Sequence, residues 1–187
     1  MSHRSNDDVF ATFVDERGSA LVAYAYLLTG ELMAAQDLTQ EALLKVFVRS
    51  RSGSAPDAAE AYVRRTILRL YIDGYRRGRL WTSLRHLVTR DDAVEGHELA
   101  AADRMDLRAA LATLAPQERA AIVLRFYEDL TVPETADRMN LAAGSVKRYL
   151  SNAVRKLEAQ LGPIPDLHPS ARTEAFLVQP ATHAAKD

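Results

Sequence analysis

Lys147, Arg148, Tyr149, Asn152 and Arg155 lie in a stretch whose apolar members, Val146, Leu150, Ala153, Val154 and Leu157, recur three and four residues apart. On a helix the apolar set shares one face, and the cations, the ring and the amide share the other. That polar set suits a nucleic acid: cations pair with phosphates, and Arg or Asn can bond two edge atoms of guanine or adenine. A second set lies between residues 62 and 77, where Arg64, Arg65, Arg69, Arg76 and Arg77 alternate with Tyr62, Tyr71 and Tyr75. Unpaired bases stack on rings and guanidinium planes while phosphates take the charges. Those tyrosines suit a protein core equally well, and their spacing admits both roles. A third set is acidic. Asp37, Gln40 and Glu41 form one strip of acceptors for a basic protein surface, while Leu38, Ala42 and Phe47 hold the helix to its own core.

Other chemistries are poorly represented. The 187 residues contain no cysteine, which removes disulfides, thiolate metal sites and cysteine nucleophiles together. The five histidines (3, 86, 97, 168 and 183) have no ligand-like spacing, so no metal, cofactor or catalytic set is implied. The N-terminus is polar, and the longest apolar run, Leu21 to Leu28, is far too short to span a bilayer. The expectation is a cytoplasmic chain with no membrane insertion. A formal net charge of -1 conceals a patchwork, because fields act through local patches. Residues 60 to 90 carry eight arginines against Glu60 and Asp73, and residues 144 to 161 carry four cations against Glu158. The stretches 1 to 48 and 91 to 143 are acidic.

The elements that must position these sets are all helices. No strand-like alternation of Val, Ile and Thr occurs, whereas apolar residues recur at three and four through most of the chain. The pattern predicts helices over 8–28, 34–49 and 57–77, with Gly30 as a stop and Gly53, Ser54 and Pro56 as a loop. Phe10, Phe13, Val14, Leu21, Ala25 and Leu28 are the inward positions expected of the first helix. Periodicity fades from 78 to about 101 and resumes from 103 to 161, where Gly162, Pro163 and Pro165 end it. The fold class is therefore all-α: two small helical domains joined by a flexible linker, the second containing a helix-turn-helix. The expected bounds are 1–78, a linker 79–102, 103–162 and a tail 163–187. The tail reads as disordered or regulatory, with Phe176, Leu177 and Val178 as a local apolar patch.

Within the second domain, Thr131-Val132-Pro133-Glu134 has the spacing of a capping box, so a helix begins there. Asn140 can take the left-handed conformation that ends it, and the basic helix opens near Ala143. A short helix, a tight turn and a longer basic helix make a helix-turn-helix, whose second member fits the major groove.

Three stretches carry a family resemblance. Leu111 to Arg119 (LATLAPQER), Val123 to Thr131 (VLRFYEDLT) and Gly144-Ser145-Val146-Lys147 closely resemble the C-terminal domain of extracytoplasmic-function (ECF) sigma factors, in the sigma-70 superfamily. Ala35 to Phe47 (AQDLTQEALLKVF) is similar to that family's helix that binds the clamp helices of RNA polymerase. Ala61 to Arg77 is similar to its promoter-melting, minus-ten-reading helix, and Ser50 to Pro56 occupies the loop that holds a flipped base. The resemblance implies polymerase contacts at Asp37, Leu38, Gln40, Glu41 and Leu44. It implies DNA contacts at Tyr62, Arg64, Arg65, Arg69, Arg76 and Arg77 in the first domain, and at Ser145, Lys147, Arg148, Tyr149, Asn152 and Arg155 in the second. Core RNA polymerase and promoter DNA are the implied partners. An anti-sigma factor is a further one that the sequence leaves open against control by synthesis or proteolysis. Departures from the family pattern are Arg69 in place of Asn, Ala142 in place of a small polar cap, and Tyr149 and Asn152 where Arg is common.

The reading is thus an alternative sigma factor, not an enzyme. A stand-alone helix-turn-helix regulator is the alternative; it would need a dimer surface or a ligand or receiver domain, and neither is evident in the sequence.

Overall fold

The computed structural model describes residues 6–51, 59–81 and 101–164, with side chains over 7–49, 59–75 and 107–164. Among them the elements are α1 (Asn6–Thr29), α2 (Leu32–Arg51), α3 (Ala59–Trp81), α4 (Ala101–Ala112), α5 (Pro116–Ile122), α6 (Val132–Met139) and α7 (Ala143–Leu161). One wide π turn, Val123–Tyr127, continues α5. Helices α1 and α2 run a residue or two beyond both limits read from periodicity, and α3 four residues beyond its C-terminal limit, because terminal turns carry little apolar signal. Residues 52–56 of the predicted flipped-base loop, residues 82–100 of the linker and the tail from 165 lie outside the described residues.

The α1–α2 hairpin turns at Gly30, whose φ of +77° lies in the left-handed region and whose N–H donates to Tyr26 O at 2.8 Å. Ala35, Thr39, Ala42 and Val46 of α2 form a buried seam of small residues that admits α1 at close range. Thr39 donates its hydroxyl to Ala35 O at 2.7 Å, so its burial leaves no polar group unpaired. Leu21, Tyr24, Ala25 and Leu28 of α1 meet Val63, Ile67, Leu68 and Ile72 of α3 across this core. Each fully buried leucine there contributes about 1.5–3 kcal/mol. Phe10, Phe13 and Val14, expected inward, are only half-buried: they close the open end of the hairpin, where Phe10 meets Phe47 with ring centroids 4.9 Å apart.

The second half is built around α7, whose Val146, Leu150, Ala153, Val154 and Leu157 are all buried. They pack against Ala120, Ala121 and Leu124 of the α5 segment and Ala136 and Met139 of α6. Pro116 opens α5, and Glu118 accepts from the Ala115 N–H at 2.9 Å and from Lys156 Nζ at 2.6 Å. One carboxylate therefore caps α5 and ties it to α7.

Candidate nucleic-acid and protein interfaces

The helix-turn-helix follows from local chemistry. Thr131 Oγ1 accepts from the Glu134 N–H at 3.4 Å and Glu134 Oε2 accepts from the Thr131 N–H at 2.8 Å, a reciprocal cap on α6. The Thr131 hydroxyl, then its backbone N–H, hold the Glu134 carboxyl below its ordinary pKa. Asn140 ends α6 at φ +52°, and the Leu141 N–H returns to Ala136 O at 2.9 Å. Helix α7 then starts from Ala142, which offers no side-chain cap.

With one stripe of α7 buried, its other side is open. Lys147, Arg148, Ser151, Arg155 and Lys156 are exposed, and Ser145, Tyr149 and Asn152 are half-exposed. Arg148 lies 5.5 Å from the Tyr149 ring centroid, and Arg155 donates to Asn152 Oδ1 at 2.7 Å. Arg148, Asn152 and Arg155 are spaced four and three apart and form one ridge, a geometry that fits base edges in a major groove. Ser145, Arg148, Asn152 and Arg155 of the predicted set thus come together on one face, with Lys147 and Tyr149 flanking it on opposite sides and Tyr149 partly packed on the core.

The predicted residues of α3 do not. Tyr62, Arg65 and Arg69 recur at three and four, and Arg76 continues that face by spacing. Arg65 and Arg69 are exposed, with Arg69 3.7 Å from Asp73, and Arg49 covers the half-buried Tyr62 ring at 5.7 Å. Arg64 points the other way. It bonds Glu60 at 2.6 Å and lies 5.5 and 5.6 Å from the rings of Tyr24 and Tyr127. Tyr71, half-buried beside Arg119, has its hydroxyl pushed up to about 12 by burial. The side chains of Arg76 and Arg77 lie outside the described set.

On α2, Asp37, Gln40, Glu41 and Leu44 are exposed along one strip, Lys45 lies 3.3 Å from Glu41, and Leu38 is half-buried against the core. Met33 and Val48, which sequence reasoning passed over, extend the strip and are 56% and 69% exposed. Their spacing from Asp37 and Leu44, four residues in each case, was the available signal. Beside the strip, Phe10, Val14, Val22, Leu43 and Phe47 line an apolar groove of about 440 Å³.

The two halves also touch each other. Arg119 of α5 donates from Nε to Leu27 O in the last turn of α1, at 2.7 Å. That carbonyl is one of the four a helix end leaves unpaired, and α1 has no basic residue of its own in that turn. The guanidinium lies over Gly30, where a Cβ would come within 3.0 Å of both terminal nitrogens. Tyr127, on the π turn, meets Tyr24 with ring centroids 6.0 Å apart. Glu128 then pairs with Arg138 of α6 at 3.1 Å.

The family model for sigma-70 region 2 matches residues 13–80, and that for sigma-70 region 4 matches residues 104–157. The RNA polymerase sigma-E factor of Streptomyces coelicolor is 34% identical over 155 residues, covering 81% of this chain and 85% of that protein. The ECF RNA polymerase sigma factor SigL of Mycobacterium tuberculosis is 30% identical over 151 residues, covering 79% and 85%. The sigma factor RpoE of Bartonella quintana, solved in complex with the anti-sigma factor NepR, has the same fold. Its TM-score is 0.63 at 24% identity, over 81% of this chain and 96% of that one. With the helix-turn-helix, the acidic α2 strip and these matches together, the chain belongs to the sigma-70 family and is an alternative sigma factor of the ECF group.

Proposed function

We propose that this sigma factor binds core RNA polymerase through α2 and directs it to a promoter subset that it reads with α3 and α7. Asp37, Gln40 and Glu41 supply acceptors for basic polymerase residues, and Leu38 and Leu44 add apolar contact beside them. Tyr62, Arg65, Arg69, Arg76 and Arg77 hold unpaired minus-ten DNA by stacking and phosphate pairing. Arg64 joins them only when it leaves its contacts with Tyr24 and Tyr127. Ser145, Lys147 and Arg155 position α7 on the minus-thirty-five duplex, and Arg148, Tyr149 and Asn152 face its base edges. The observation that carries the reading is the pairing of two basic helices, on separate helical units, with an acidic strip that no DNA would attract.

The protein acts in the cytoplasm, where its polymerase is, and no helix among the described residues is long and apolar enough to cross a membrane. The reading asks for no catalytic residue, since polymerase supplies the chemistry. An anti-sigma protein that covers the α2 strip would silence the factor, in keeping with the complex in which the Bartonella protein was solved.

Run-off transcription with core polymerase and genomic promoter fragments tests the proposal: adding the chain should create starts that core alone does not make. If no new start appears while the chain alone protects a palindromic operator, it is a stand-alone regulator instead.

A further inference from the structure

Helix α1 borders two apolar hollows. One is the groove of about 440 Å³ that it forms with α2, floored by Phe10, Val14, Val22, Leu43 and Phe47. The other is a cleft of about 700 Å³ where Tyr26 and Leu27 face Leu107 and Leu111 of α4. The two adjoin, since Val22 lines both. Contiguous apolar surface with a polar rim marks a contact site. On the rim of the groove Gln36 and Gln40, four residues apart on α2, are both exposed, and each offers an amide donor and an acceptor. Such a pair suits the N–H and C=O groups of an extended peptide, whose alternate side chains then enter the floor.

The chain itself carries a segment of matching chemistry. Its strongest apolar run after Ile164 is Phe176-Leu177-Val178, which Pro169 and Pro180 bracket and keep from extending as a helix. In an extended peptide Phe176 and Val178 share a side. Arg172 lies four residues before Phe176, and Asp37 and Glu41 flank the groove on the α2 strip, so the charges are complementary. Reach is sufficient as well. Ile164 packs on the core of the second half, where α7 meets α4 at the edge of the cleft. The 12 residues from Ile164 to Phe176 span at most about 40 Å. Helix α1, with 24 residues, is about 36 Å long. A tether of this kind holds its end at an effective concentration of about a millimolar, so a weak contact is enough to fill the groove.

We propose that residues 172–179 of this same chain dock in the α1–α2 groove, with Phe176 and Val178 on its floor and the Gln36 and Gln40 amides on their backbone, and that they compete there with core polymerase. Gln40 and Leu44 belong both to the lining of the groove and to the α2 strip, so a peptide seated in the groove covers two of the groups assigned to polymerase. The competition rests on the reading of α2 as the polymerase-binding helix; the docking does not.

The test uses the full chain, whose lack of native cysteine permits a single nitroxide label at Ala175→Cys. The methyl resonances of Val14, Val22 and Leu43 should broaden, stay broadened when the labelled chain is diluted into an excess of unlabelled chain, and sharpen again when Phe176→Ser is added. Val178→Ser, on the same side of the segment, is the second variant, and the same spectra report whether each variant is folded. Without the label, Phe176→Ser should tighten binding to core polymerase roughly fivefold, since apparent affinity scales with the fraction of molecules whose groove is open. No broadening at these methyls overturns the docking. Broadening at Leu107 and Leu111 instead also overturns it, because the segment then sits in the neighbouring cleft, and so does broadening that fades on dilution, because the occupant is then a second copy. Docking without tighter core binding overturns the competition, and Asp37→Lys with Glu41→Lys then shows what failed. If that double change weakens core binding, α2 binds polymerase and the groove is not shared; if it does not, the reading of α2 is wrong too.

Discussion

Helices α3 and α7 both combine arginine with tyrosine, six and three in α3 against two and one in α7, yet they offer them differently. Helix α7 buries a single stripe, Val146 to Leu157, so every cation on its far side faces solvent. Helix α3 is packed from two directions, by α1 and α2 through Val63 and Ile67 and by the second half through Arg64. Its basic residues are therefore divided between an open face and a seam. A basic helix is available to DNA only to the extent that its reverse side is its sole packed side.

The buried stripe of α7 is the most sensitive point of the second half. Leu150→Ala removes a fully buried side chain, and should destabilise the second half by about 2–5 kcal/mol in denaturant unfolding. It should take duplex binding by α7 with it, while the α1–α3 core keeps its own transition. On the open face, Asn152→Ala should weaken binding to the preferred duplex by about 1–3 kcal/mol in a titration and flatten preference at one base pair. An effect equal on all sequences would make Asn152 a phosphate contact instead.

The smallest effect concerns the frame that presents α7. Thr131→Ala breaks the reciprocal cap with Glu134, and should lower the thermal midpoint by the equivalent of about 1 kcal/mol. The same pair has a pH signature. Because the folded Glu134 carboxyl titrates below its unfolded value of 4.5, its contribution is present above pH 4.5 and is lost as pH falls through the folded value. Stability curves of the parent and Thr131→Ala should therefore converge in acid; parallel curves would remove the cap from the account.

What was legible in the sequence was local. The Thr131 and Glu134 cap, the left-handed Asn140, the stop at Gly30 and the buried stripe of α7 each depend on contacts within a few residues, and each stands where the spacing put it. The acidic strip on α2 was legible for the same reason, although Met33 and Val48 were missed because exposed apolar residues look inward by type. What was not legible depends on distant chain. Arg119 bonds a carbonyl 92 residues away, and nothing in its neighbours signals that. The π turn leaves no periodic trace, since one wide turn shifts phase without changing composition. Arg64 shares the type and the stretch of Arg65, so only the Tyr24 and Tyr127 rings behind it separate the two.

With polymerase assigned to α2 and DNA to α3 and α7, a double charge reversal on α2 separates the two roles. Asp37→Lys with Glu41→Lys alters two exposed side chains, and core binding and duplex binding of the same variant are measured by fluorescence anisotropy. Affinity for core polymerase should fall by roughly a hundredfold, as about 1–2 kcal/mol per reversed contact implies, while duplex binding through α7 is kept. Undiminished core binding, or duplex binding lost along with it, would contradict the division of labour.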